Sequence, residues 1–179
     1  TSDTTPDFTI SCESGATVSL KESTTTLGTG VCSSSTVTIT SSALSGGAHT
    51  LKATQTDVAL NVSADSGNLA ITIDTTAPTI TSVSSDKTNG SYTTGEIIDI
   101  DVTFSEAVTS TGNVTVTLET GITDRTCTFT VTATTTGTCN YTVVSGDTSS
   151  DLDATISGTI NDTAGNAMSN FTPTTGLAA

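Results

Sequence analysis

The sequence predicts an all-β chain of antiparallel β-sandwiches, and three observations carry that prediction. Thr and Ser supply 46 and 24 of the 179 residues. β-Branched Thr fits a pleated surface and loses χ1 freedom in a helix, so this composition argues against a helical bundle. Apolar and polar residues alternate with period two in short segments, the pattern of strands with one face buried and one wet. The segments recur at roughly ten-residue spacing with Gly- and Ser-containing turns between them, as in a sandwich. With no Trp, two Tyr and four Phe, the core has to be mainly aliphatic.

Taken in order, the alternation marks strands at 17–20, 35–40, 49–54 and 69–74 in the first half. In the second half it marks 97–104, 113–118, 127–131, 141–144 and 154–160. The two halves also repeat each other. Asp74-Thr75-Thr76-Ala77-Pro78 matches Asp3-Thr4-Thr5-Pro6, and Asp162-Thr163-Ala164-Gly165-Asn166 matches Asp57-Val58-Ala59-Leu60-Asn61. A linker with Asp and Pro thus opens each half, and an Asp-x-Ala-x-Asn turn precedes its last strand. The expected organisation is two tandem domains, 1–76 and 77–179, joined by a short linker.

Eighteen acidic residues stand against four basic ones, Lys21, Lys52, Lys87 and Arg125, for a net charge of −14. That sign repels nucleic acid phosphates and anionic lipid, so neither is an expected partner. No apolar run approaches the roughly 20 residues of a membrane-spanning helix, and no membrane insertion is expected. The N-terminus lacks a Met, a basic region and an apolar stretch, which reads as a piece excised from a longer protein.

Cys12, Cys32, Cys127 and Cys139 form no Cys-x-x-Cys pair. Two local disulfides, Cys12–Cys32 and Cys127–Cys139, fit better than zinc, and they imply an oxidising compartment and hence export. Residues 127–139 read as two strands and a turn, so their cysteines should face each other across a hairpin. Catalysis finds little support: His49 opens a strand without a nucleophile beside it, no Gly-x-Ser-x-Gly elbow occurs, and sugar sites normally present aromatic platforms while Trp is missing here.

Several runs together resemble a family. They are Asp74 to Pro78, Gly47 to Asp57, Tyr92 to Glu96, Val102-Thr-Phe-Ser-Glu-Ala-Val108, Gly146 to Leu152 and Asp162 to Asn166. These are similar to the tandem bacterial Ig-like repeats of large surface adhesins. The resemblance implies Ig-like sandwiches stacked in an extracellular rod on the bacterial surface, with neighbouring repeats of the same chain as partners and Ca2+ at the junctions.

The calcium expectation can be tested by chain direction. If a first strand descends from the linker, the strand at 97–104 climbs back and delivers Glu106 to the linker end. By the same count, the strand at 154–160 also climbs and delivers Asp162. Asp74, Glu106 and Asp162 should then converge, with Asn166 and backbone carbonyls completing an oxygen shell suited to Ca2+. The first domain offers Asp3, Glu22 and Asp57 in the same roles. The competing reading is that each Asp before a turn caps its own backbone. Asp147, Asp151 and Asp153 form a further acidic loop, expected at the opposite pole near Asp86 and Glu96, and best read as self-bonded.

The expected function is a non-enzymatic structural or adhesive segment of an exported bacterial adhesin or fibre, stiffened by interdomain calcium. The alternative is a tip module that recognises a glycan or protein on a host or prey cell. A concave pocket with exposed Tyr92 or Tyr141 would favour that alternative.

Overall fold

The computed structural model describes residues 1–149 and 152–177. The chain folds as two compact units, Thr1–Thr75 and Thr76–Ala179. Every named element is a strand, and among the described residues no helix is long and apolar enough to cross a membrane.

The first unit contains β1 (Asp7–Ser11), β2 (Thr17–Glu22), β3 (Thr25–Val31), β4 (Thr36–Thr40), β5 (Gly47–Thr56) and β6 (Leu69–Ile73). Two sheets form, β1-β4 and β3-β2-β5-β6, with every pair antiparallel. Alternation decides which side chains turn inward: Val18, Leu20, Ile39, Leu51 and Ile73 are buried in one cluster with Leu27 and Leu44. β1 and β3 were not among the strands expected from the sequence. Thr1–Pro6 is not a free linker either: Asp74 N–H donates to the Thr1 carbonyl at 2.9 Å, Leu44 N–H to Thr4 at 2.8 Å and Ser41 N–H to Pro6 at 3.1 Å.

The second unit contains β7 (Ile80–Ser84), β8 (Ile97–Ser110), β9 (Val114–Leu118), β10 (Arg125–Phe129), β11 (Thr134–Thr142), β12 (Ala154–Ser157) and β13 (Ile160–Asp162). One sheet runs β10-β9-β12. The other runs β11-β8-β13, with β7 also on β8. Ile98, Ile100, Val102 and Phe104 of β8 all point inward and meet Val114, Val116 and Leu118 of β9 in the core.

Four expectations are corrected here. The strand expected at 97–104 continues to Ser110, and the one expected at 141–144 overlaps only the end of the longer β11. The strand expected at 154–160 breaks into β12 on β9 and β13 on β8. Between them lies Gly158, where a Cβ would come within 3.3 Å of the Val114 Cα. The fourth correction concerns β10 and β11, which belong to different sheets. Their connection is therefore an arch from sheet to sheet, not a hairpin.

Candidate metal centre

The repeated Asp-x-Ala-x-Asn sequence builds the same loop in both units. In the second, Asp162 Oδ1 accepts the N–H groups of Gly165 at 2.6 Å and Asn166 at 2.8 Å, while Oδ2 accepts Asn166 Nδ2 at 2.7 Å. In the first, Asp57 Oδ1 accepts from Ala59 and Asn61 N–H, both at 2.8 Å, and Oδ2 from Asn61 Nδ2 at 2.8 Å. Each loop closes with a backbone bond at 3.0 Å, Asp162 N–H to Asn166 and Asp57 N–H to Asn61. A carboxylate has about four acceptor positions, so each loop engages most of those its Asp has.

Asp162 is 5% exposed. Burial pushes its pKa up, but the Asn166 side chain and the N–H groups of Asn166, Gly165 and Ala164 outweigh it and hold the carboxyl below the usual range. In Asp57 the leading cause is the Asn61 side chain, again downward. Both loops therefore keep an ionised carboxylate by their own hydrogen bonds.

The second unit brings Glu106 to this carboxylate: oxygens of Glu106 and Asp162 lie within 4.8 Å of each other. The route differs from the one expected. β13 pairs with β8 but runs in the opposite direction, and Asp162 is registered against Val108, two residues beyond Glu106. Asn166 is in the same loop, with its amide nitrogen turned to Asp162. Asp74 belongs to the first unit.

The first unit does not assemble the set Asp3, Glu22 and Asp57. β2 and β5 are antiparallel, with Thr17 opposite Thr56 and Glu22 opposite Leu51. Asp57 and Glu22 consequently sit at opposite ends of the ladder, about 17 Å apart at 3.3–3.4 Å per residue. Glu22 Oε1 lies 2.9 Å from His49 Nδ1. Asp3 Oδ1 accepts the Thr5 N–H at 2.8 Å, an Asx-turn. The acid that shares the Asp57 end is Glu13, whose N–H donates to Gln55 Oε1 at 2.9 Å. Its signal was in the sequence: Thr9-Ile10-Ser11-Cys12-Glu13 parallels Thr103-Phe104-Ser105-Glu106 with one residue added.

At the other acidic loop, Asp147 is a structural anchor. Its oxygens take Arg125 Nη2 at 2.9 Å, Arg125 Nε at 3.0 Å, the Tyr141 hydroxyl at 2.5 Å and Val144 N–H at 2.9 Å. The Tyr141 hydroxyl leads in holding its pKa down, and burial first, then Asp147, pushes Tyr141 up to about 12. Asp153 accepts the Glu119 N–H through its backbone carbonyl. Asp151 lies outside the described residues. Asp86, Asp99 and Asp101 form another acidic group within 4.8 Å, where the Asp86 N–H is the first cause lowering the Asp99 pKa. Glu96 is held low by the Thr93 N–H.

The cysteines pair as Cys12–Cys32 and Cys127–Cys139, with Cα separations of 6.1 and 5.6 Å. Cys127 is on β10 and Cys139 on β11, so this disulfide crosses between sheets through the core, where both residues are buried. The first disulfide likewise joins the end of β1 to the end of β3 in the other sheet.

No curated protein matches the chain. Residues 1–75 match the model of the bacterial Ig-like domain family, and the first unit is six antiparallel strands in two sheets. The first unit of this chain is therefore similar to the bacterial Ig-like domain in both sequence and strand arrangement.

Proposed function

We propose that the chain is a non-enzymatic structural segment of an exported bacterial adhesin or surface fibre, with Ca2+ stiffening the joint between its two sandwiches. The bacterial Ig-like match and the two disulfides suggest an extracellular surface module. The observation that carries the calcium reading is the Glu106–Asp162 pair, two carboxylates within 4.8 Å, one of them nearly buried. Charges of one sign that close are relieved by a cation, and oxygen donors suit Ca2+. In this reading Asp74, the second residue before Thr76, adds a third carboxylate from the segment leading into the second unit, and Asn166 adds its amide oxygen after a flip of the side chain.

Thermal unfolding with and without calcium tests the pair, and Glu106→Gln is the informative variant because it leaves the Asp162 loop bonds intact. Calcium at 100 times its Kd should stabilise the second unit by about 2.7 kcal/mol through mass action. Glu106→Gln should abolish most of that gain while changing little in chelator. Asp162→Ala should cost about 1–3 kcal/mol even in chelator, because loop N–H groups lose their acceptor. An equal calcium response in wild type and Glu106→Gln removes the site.

The recognition reading draws on a cavity of about 650 Å3 in the second unit, lined by Tyr92 and Tyr141; Tyr92 is half-buried and Tyr141 buried, so the cavity is present without the exposed tyrosine that this reading expects. On that reading the chain engages a glycan or protein on a host or prey cell.

A further inference from the structure

We infer that the cavity of the second unit is a site for an uncharged sugar, a proposal that rests on the recognition reading and gives it a ligand class. Its volume of about 650 Å3 lies within the roughly 300–1,000 Å3 of small-molecule sites. The floor belongs to the sandwich core: Ile98 and Tyr141 line it and are 8% and 5% exposed. One wall is the segment between β7 and β8, where Tyr92 packs on the core and its hydroxyl donates to the Thr88 carbonyl. The facing wall follows β11, where Thr148 N–H donates to the Thr120 carbonyl at 3.0 Å. Both walls are thus held by bonds of their own.

The charges of the lining select the ligand. Among the described residues Asp147 is the carboxylate of the lining, and Arg125, Tyr141 and Val144 already occupy it. Lys87 is the cation of the lining; its ammonium sits 5.8 Å from the Tyr92 ring centroid and is balanced by Glu96 and Asp99. Among the described residues a cation therefore meets no uncommitted carboxylate, and an anion meets the field of a chain of net charge −14. What remains is an apolar floor with Ser84, Asn89, Ser91 and Thr148 around it. That combination suits a ring with apolar C–H faces and hydroxyls at its edge. An extended peptide would instead seek an open strand edge, and β7 beside the cavity is already bridged to β8 and to Thr175.

The test uses the full 179-residue chain with methyl glycosides of glucose, galactose and N-acetylglucosamine, and methyl glucuronide as the charged control. Ligand-detected NMR and calorimetry should find at least one uncharged glycoside binding at about 1 mM or tighter, with shifts at the Tyr92 and Tyr141 ring protons. Ser91→Trp, which fills the cavity, should weaken it about tenfold or more at an unchanged unfolding midpoint. Asn89→Ala, removing an amide without adding bulk, should also weaken it. If the glucuronide alone binds and shifts the same rings, the uncharged class is wrong but recognition at the cavity survives. If none of the four shifts either tyrosine, the sugar site is wrong, and the recognition reading is left with a protein ligand alone.

Discussion

At Leu60 the backbone takes φ 70°, where the loop of the second unit has Gly165 at 104°. A left-handed conformation costs a residue with a Cβ roughly 1–2 kcal/mol, and the Leu60 side chain, 81% exposed, recovers little by burial. Leu60→Gly should therefore stabilise the first unit by about 1 kcal/mol in urea unfolding, after the entropy that Gly adds to the unfolded chain. A loss of stability would mean that the exposed leucine packs in a way its burial does not reveal. His49 poses a different problem at the same scale. Its Nδ1 and Nε2 lie 2.9 Å from Glu22 Oε1 and from the Ser45 carbonyl. Neither acceptor has a proton to offer, so only the imidazolium satisfies both. The Ser45 carbonyl first, then the Glu22 carboxylate, raise the His49 pKa above 6.5. A raised folded pKa stabilises fully below the unfolded value and is lost as pH rises through the folded one. The melting-temperature gap between wild type and His49→Gln should accordingly be full below about pH 6.5 and shrink as pH rises through the raised folded pKa; a constant gap would show that the ring acts only by packing.

Among elements, the β10–β11 arch shows how glycine and an aromatic ring substitute for each other across a sandwich. A Cβ on Gly137 would stand 2.1 Å from Phe129 Cε2, so the ring of β10 occupies space that β11 leaves empty. Gly137→Ala should cost at least the roughly 1–3 kcal/mol of an overpacked core. Phe129→Leu should be less harmful in that background than in wild type, and a double-mutant cycle measures the coupling; additive losses would disprove the contact. The same device explains why β3 escaped the sequence reading. Gly28 and Gly30 stand where inward side chains belong, because a Cβ there would come within 2.6 Å of Ile39 and 2.7 Å of Val37 on β4. The apolar period vanishes from β3 while the packing remains. Residues 17–20 and 97–104 were legible because their inward positions carry Val, Leu, Ile and Phe. The cysteine pairing was legible from spacing, but an arch and a hairpin both need one short turn after a strand, so spacing alone could not tell that the bond crosses sheets.

For the whole molecule, the Asp57 and Asp162 loops are readable because their spacing repeats, whereas the pole that Asp57 occupies is not, for a topological reason. Each uncounted strand reverses the direction in which later strands are counted, and β3 lies uncounted between β2 and β5, so the sequence sends Asp57 to the linker end, while the structure leaves Glu22 on the His49 and Ser45 side and Asp57 at the other end of the ladder. The family match falls on residues 1–75, where the resemblance rested mainly on the run from Gly47 to Asp57, because β5 and its loop keep the strand-and-turn pattern of a repeat. Whether calcium on Glu106, Asp162 and Asp74 stiffens the joint, as we propose, is decided by small-angle scattering of the full chain in calcium, in chelator, and for Asp74→Asn in calcium. A single extended shape is expected in calcium, a broader distribution of shapes on chelation, and the same broadening for Asp74→Asn while far-UV spectra stay unchanged. Identical scattering in all three samples would contradict it.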